Sequence, residues 1–283
     1  MSIIETEIEL AAQDGHRYRL LARLPQQPRA SLLWLPALGV AARHYLPFAD
    51  ALSQRGVAVF LHEMRGNGSS SLRASREIDW GYRDILAIDV ACSEHAVAER
   101  ADVPVRIIGG HSIGAQFAAC YLGLNPQAFH RLWLVASGSP YWRNFPAPQR
   151  YGFPMAYQFI AWVARLRGTL PGRQLGFAGE EARSLMQDWV RVGLSNRYAA
   201  AGMQVDLEHA LSQITADVDA VLLADDWFAP PRSMQGLLDK MPAARTRLTT
   251  LHDRALGSRA DHFAWMKQPG GLVNVLLDAE FDS

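Results

Sequence analysis

Residues 107–117 read IIGGHSIGAQF, which sets one serine, Ser112, between Gly110 and Gly114 at the end of an apolar run. Such a stretch is either a strained strand-to-helix turn that lifts a nucleophilic hydroxyl, or an ordinary turn that happens to hold a serine. Gly110-His111-Ser112-Ile113-Gly114 satisfies G-x-S-x-G, and its surroundings meet the structural condition for that motif: VRIIG reads as a strand before it and AQFAACYLG as a helix after it. A serine at so sharp a turn occupies a sparsely populated backbone conformation, and only small neighbours let strand and helix approach closely enough to hold it. The same turn sets the Ile113 N–H at a helix amino end, where an oxyanion can be bound.

The flanking sequence repeats the strand-helix rhythm. Residues 3–10 and 17–24 bracket Gln13-Asp14-Gly15, a hairpin signal. Apolar runs follow at 31–35 (SLLWL) and 57–61 (VAVFL) with a helix over 45–56 between them, then a helix over 80–100, the strand 105–109, a helix over 113–124 and the strand 131–136. Continuous apolar strands separated by helices are the pattern of a mostly parallel sheet covered on both faces. From 141 to 214 no strand is expected, only aromatic-rich helical patterns and the breaker group Gly168-Thr169-Leu170-Pro171-Gly172, the expected point of flexibility. Strands resume at 218–224 and 247–251, with a helix around 231–240 between them and a last helix from about His262.

A serine hydroxyl is a weak nucleophile near neutral pH, so it needs a histidine base, itself oriented by an acid. The acid is expected after a late strand and the base after the last one. Asp225 and Asp226 end the run VLLA, and Asp226 is the expected acid, with Asp225 a turn or cap residue. His262 lies past the last strand and its loop and is the expected base; His252, which directly follows RLTTL, is its rival. His44, His62, His111 and His130 are expected to be structural or solvent-facing. A second oxyanion donor is expected from the loop Leu35-Pro36-Ala37-Leu38-Gly39-Val40, with the Leu38 N–H preferred to that of Ala37.

Composition excludes several function classes. The 283 residues carry 28 Lys+Arg against 28 Asp+Glu, so no overall charge bias draws the chain to nucleic acid or to an anionic membrane. The apolar stretch 153–166 carries Gln158 and Arg165 and falls short of the roughly 20 residues that cross a bilayer. The first 20 residues lack the basic and apolar regions of a secretory signal, and a cytoplasmic location is expected. Cys92 and Cys120 are expected to be inert thiols. No metal-ligand spacing is present in the sequence, and no metal or cofactor is expected.

Together, LPALGVAARHYLPFADALSQRGVAVF, Met64-Arg65-Gly66-Asn67-Gly68-Ser69, GGHSIGAQ, YWRNF, LPGRQLGF, DDWFAP and DHFAW resemble the α/β-hydrolase fold, and more narrowly a bacterial group of predicted α/β hydrolases. The resemblance implies a core of residues 1–140 and 215–283 and a helical cap of residues 141–214, inserted after the strand that follows the nucleophile helix. It also implies a serine triad under that cap. Pro36-Ala37 stand where many relatives begin the oxyanion loop with His-Gly, and Asp261 stands where they often have glycine before the base. The cap carries Tyr141, Trp142, Phe145, Tyr151, Phe153, Tyr157, Phe159 and Trp162. Most of these are expected to form its interior, with Trp142, Tyr157 and Phe159 in the substrate pocket; Arg143 and Arg150 are expected to be solvent-facing. An apolar, aromatic roof suits acyl or aryl groups better than sugars or phosphates. The expected function is hydrolysis of a small-molecule ester through an acyl-serine, with thioesterase, lactonase and acyltransferase using the same triad, and a non-catalytic small-molecule binder as the reading from another class.

Overall fold

The computed structural model describes residues 2–175 and 178–281. Eight strands form one sheet in the order β1-β2-β4-β3-β5-β6-β9-β10. The antiparallel pair β1 (Ile3–Ala11) and β2 (Arg17–Pro25) opens the chain, and β2 runs antiparallel to β4 (Val57–Leu61). The rest are parallel: β3 (Ala30–Leu35), β5 (Val105–His111), β6 (Arg131–Val135), β9 (Asp217–Leu223) and β10 (Arg245–Leu251). A mostly parallel sheet flanked by helices is what the apolar runs imply, since a strand buried on both faces has no reason to alternate. Leu33, Leu35 and Ile108 belong to one core, while Leu32, Trp34 and Ile107 belong to the other. The strand period of two thus divides each run between the two layers.

The helices between the strands are α1 (Leu46–Ser53), α2 (Tyr82–Asp84), α3 (Ala91–Ala98) and α4 (Ile113–Leu124). The single helix expected over 80–100 is interrupted by a π-helical segment, Ile85–Val90. That segment carries Asp89, whose buried carboxylate accepts from Arg65 at 2.5 and 2.8 Å and pairs with the His16 ring at 2.9 Å. The amino-terminal hairpin and the turn after β4 are thereby fastened to this helix.

Between β6 and β9 the chain leaves the sheet. It forms α5 (Phe153–Arg167), β7 (Thr169–Pro171), α6 (Gly172–Leu175), β8 (Glu180–Ala182), α7 (Arg183–Ser195) and α8 (Leu207–Ser212). Two expectations are corrected here. The segment contains a short antiparallel pair, β7 with β8, and Leu170 within the breaker group is fully buried. Gly168 ends α5 with φ +88, and a Cβ there would lie 2.6 Å from Arg76 Cγ. The group that sequence marks as flexible is therefore a packed corner. The Gly176-Phe177 end of LPGRQLGF lies outside the described residues.

After β9 come α9 (Pro231–Leu238), α10 (Asp253–Leu256) and α11 (Gly270–Phe281). The last helix starts later than expected: a short 3-10 turn, Ala264–Met266, follows His262, and Pro269 separates it from α11. No helix among the described residues is long and apolar enough to cross a membrane.

Candidate active site

Strand order reverses between β3 and β5, with β4 on one side and β6 on the other. Loops leaving the carboxyl ends of two such strands diverge and leave a crevice between them. Ser112 sits at that crevice, following β5, with φ 56° and ψ −124°. Its N–H donates to Val135 O at 3.1 Å, and its carbonyl accepts from the Ser137 hydroxyl at 2.6 Å. The glycines on either side have a measurable reason. A Cβ on Gly110 would stand 2.4 Å from the Gly114 carbonyl carbon, and one on Gly114 would stand 2.2 Å from Leu35 O. Neither position admits even a methyl group, because backbone occupies the space.

Asp226 and His262 are both buried, and His262 Nδ1 lies 2.7 Å from Asp226 Oδ2. The other carboxylate oxygen, Oδ1, accepts from the N–H groups of Phe228 (2.8 Å) and Ala229 (3.2 Å), so the aspartate builds its own turn and cannot rotate away. On the histidine side, Asp261 Oδ1 accepts from the N–H groups of Phe263 and Ala264, at 3.0 and 2.8 Å. The residue that departs from the glycine of relatives thus fastens the turn carrying His262. Trp265 Nε1 donates to the His262 carbonyl at 3.1 Å. Asp225 and His252 are exposed, and neither belongs to this cluster.

The loop after β3 faces Ser112 from the other side. Ala37 N–H is already engaged, donating to Tyr45 Oη at 2.9 Å, while the Leu38 N–H has no partner among the described residues. The Tyr45 hydroxyl lies 2.8 Å from His111 Nδ1. Tyr45 therefore ties this loop to the residue before Ser112, a link no local pattern announces. His111 is fully buried with its ring centroid 4.6 Å from that of His262, and burial, with the nearby His262 charge second, holds it well below the ordinary histidine range. It remains a neutral wall against which the His262 ring packs.

These groups meet at one cavity of about 120 Å³, whose walls include Ala37, Leu38, Ser112, Ile113, Gln116, Ala136, Phe145, Ala178, Trp189, Phe228 and His262. Among the described residues, three of the four non-glycine residues with positive φ, Ser112, Ala136 and Ala178, line it. Backbone strain of this kind persists only where surrounding structure enforces it, and it gathers at functional sites. Ser112 and His262 share this cavity without a direct hydrogen bond among the described contacts; such bonds commonly tighten only with substrate in place. Among the described residues, no group of three or more His, Cys, Asp or Glu side chains is arranged to hold a metal ion.

The aromatic residues expected in the pocket stand elsewhere. Tyr157 is buried but points into the interior of the 141–214 segment, its hydroxyl donating to Pro140 O and its ring 5.1 Å from Trp189. Phe159 is exposed on the outer face of α5, and Trp142 stacks beneath the Arg143 guanidinium. Phe145 and Trp189 line the cavity instead.

A buried carboxyl braces the wall opposite Ser112. Glu181 Oε1 accepts from Gly179 N–H at 2.8 Å, and a Cβ on Gly39 would come within 2.3 Å of that same nitrogen, so backbone 178–179 lies directly on the loop bearing Leu38. Burial, opposed by the Gly179 hydrogen bond, lifts the Glu181 carboxyl from 4.5 to about 7. Between those values the folded protein keeps a proton that the unfolded chain releases, so stability falls as pH rises across this window. The loss amounts to about 3 kcal/mol. Glu181→Gln cannot ionise, and denaturant titrations at about pH 5 and about pH 8 should show this pH-dependent loss in the wild type and not in the variant. Equal losses in both would remove Glu181 as its source.

The sequence profile of the family described as Serine aminopeptidase, S33 (Hydrolase_4) matches residues 26–253. No curated protein matches the chain. Among solved structures, DcsB in complex with its substrate analogue is 14% identical, with a TM-score of 0.67 and 97% of each chain covered. Est1E from Butyrivibrio proteoclasticus with ferulic acid bound is 15% identical with a TM-score of 0.62, covering 97% of this chain and 99% of the other. The thioesterase domain from the curacin biosynthetic pathway is 16% identical with a TM-score of 0.59, covering 98% of this chain and all of the other.

Proposed function

The chain belongs to the Hydrolase_4 family of α/β hydrolases, and from that premise we propose that it is a cytoplasmic serine hydrolase that cleaves a small apolar or aromatic carboxylic ester through an acyl-serine. Ser112 Oγ attacks the ester carbonyl carbon and passes its proton to His262 Nε2. The His262 Nδ1–H is held by Asp226, which fixes the tautomer and stabilises the charged ring. The oxyanion accepts from the Ile113 N–H, in the first turn of α4, and from the Leu38 N–H, which has no partner among the described residues. Collapse of the tetrahedral intermediate breaks the bond to the alcohol oxygen, which leaves with the proton from His262. Water, deprotonated by His262, then attacks the acyl carbon and releases the acid and the Ser112 hydroxyl. Residues 141–214 act as the cap that keeps this cavity dry.

The observation that carries the reading is the convergence of a strained serine and a buried His-Asp pair on one small, uncharged cavity. Apart from His262, its walls bear no ionisable side chain among the described residues. A free amino terminus would need a counter-charge there; an uncharged acyl group needs only apolar contact. Chromogenic esters and acyl thioesters of graded chain length, assayed side by side, test it: turnover is expected with short or aromatic acyl groups, and a protein that turns over none of them overturns it.

Pocket assignment yields a separate expectation. Trp189→Ala and Phe145→Ala should shift kcat/KM toward longer acyl chains, since one methylene in an apolar pocket is worth about 1 to 3 kcal/mol of discrimination. Trp142→Ala and Phe159→Ala should leave the ratio of long-chain to short-chain kcat/KM unchanged. Should the second pair move that ratio and the first pair not, the acyl group lies outside the cavity described.

A further inference from the structure

Helix α5 shows its apolar side to solvent. Met155, Phe159, Trp162 and Leu166 are 78%, 52%, 56% and 52% exposed. Their spacing of four, three and four residues places them within an arc of about 60° on one helix face. The opposite face is already occupied, since Tyr157 and Ala164 are buried there. A helix on a globular surface ordinarily points its polar side outward. Here Phe159 and Trp162 form an outward-facing aromatic pair with ring centroids 5.9 Å apart.

Charge is segregated along the same stretch. From Tyr141 to Gly179 the sequence holds five arginines, Arg143, Arg150, Arg165, Arg167 and Arg173, and no Asp or Glu. None of Arg143, Arg150, Arg165 or Arg167 has an ion-pair partner among the described residues, whereas sheet-domain arginines such as Arg23, Arg65, Arg106, Arg131 and Arg247 do. Arg165 and Arg167 sit at the end of the apolar stripe itself. The neutral balance of the whole chain conceals this local excess.

We propose that the outer face of α5 docks on an anionic lipid bilayer surface. An apolar stripe carrying a tryptophan, edged by unneutralised arginines, is the arrangement by which a helix lies in the headgroup region, with its aromatic side chains at the acyl boundary and its guanidinium groups on lipid phosphates. A second copy of the chain fits less well, because it would bring two arginine-bearing segments together, neither of which has an Asp or Glu between residues 141 and 179. Tyr157 on the inner face touches Trp189, a wall of the cavity, so the docked surface lies one helix layer from Ser112. The proposal does not depend on the hydrolytic reading, and vesicle binding can be measured without any substrate.

Flotation with phosphatidylcholine vesicles, with and without about 30 mol% phosphatidylglycerol, tests it. The wild type is expected to float with the anionic vesicles, to bind the neutral ones about ten-fold less, and to be released by about 0.5 M salt. Trp162→Ser with Leu166→Ser should weaken anionic binding by at least about ten-fold, with melting temperature and turnover of a water-soluble short ester unchanged, because both side chains are exposed. Arg165→Gln with Arg167→Gln should reduce both the binding and its salt dependence. Absence of flotation overturns the proposal, as does flotation that survives both double variants. A concentration-dependent dimer that Trp162→Ser with Leu166→Ser dissociates would assign this face to a second copy and overturn it equally.

Discussion

Ser112→Ala is expected to abolish ester hydrolysis, lowering kcat by about 10^4-fold or more, while the protein stays folded. The size follows from the way the triad acts: without the nucleophile, the His262–Asp226 pair has no hydroxyl to activate and only the residual effect of binding and the oxyanion donors remains. Folding should be spared because the Ser112 side chain makes no hydrogen bond among the described contacts, and the turn is held by its backbone through Val135 O and Ser137 Oγ. A folded Ser112→Ala protein that keeps a tenth of wild-type kcat would show that another group is the nucleophile.

His262→Ala and Asp226→Asn should each lower kcat by about 10^3- to 10^4-fold. Replacing Asp226 with asparagine keeps the shape but removes the charge that faces His262 Nδ1, leaving the imidazole free to take the wrong tautomer. By contrast, Asp225→Asn and His252→Ala should change kcat by less than about three-fold, in line with exposed side chains outside the cavity. The comparison is sharp because each pair consists of near neighbours in sequence. If Asp225→Asn proved more damaging than Asp226→Asn, the acid would belong one residue earlier than the 2.7 Å contact indicates.

The sheet and the elbow were legible because their signals are local. Short apolar runs such as VAVFL and SLLWL, spaced between helical patterns, read as strands buried on both faces, and the glycines around Ser112 answer to contacts within the same strand, helix and neighbouring loop. Asp226 and His262 were legible because each follows a strand at the edge where loops converge. The pocket wall was not. Helix α5 carries large apolar residues on both faces, so periodicity alone does not say which face turns inward, and the face bearing Phe159 turned out. Trp189 lies on α7, a helix whose position over the cavity depends on packing against α5 through Tyr157. Tyr45 and Ser137 hold the site through hydrogen bonds between segments far apart in sequence, which no motif encodes. The π-helical segment at 85–90 belongs to the same class, since it exists around Asp89 and partners more than 20 residues away.

The central claim is that Ser112 is an activated nucleophile, and covalent labelling with a fluorophosphonate tests it most directly. Attack by an activated serine oxygen on phosphorus expels fluoride and leaves a stable phosphonyl-serine, so peptide mass spectrometry reads the outcome without knowledge of the natural substrate. One adduct is expected, on the peptide containing Ser112, absent from Ser112→Ala and formed far more slowly in His262→Ala. A folded wild-type protein left unlabelled at Ser112, or labelled at a different serine, would contradict the account.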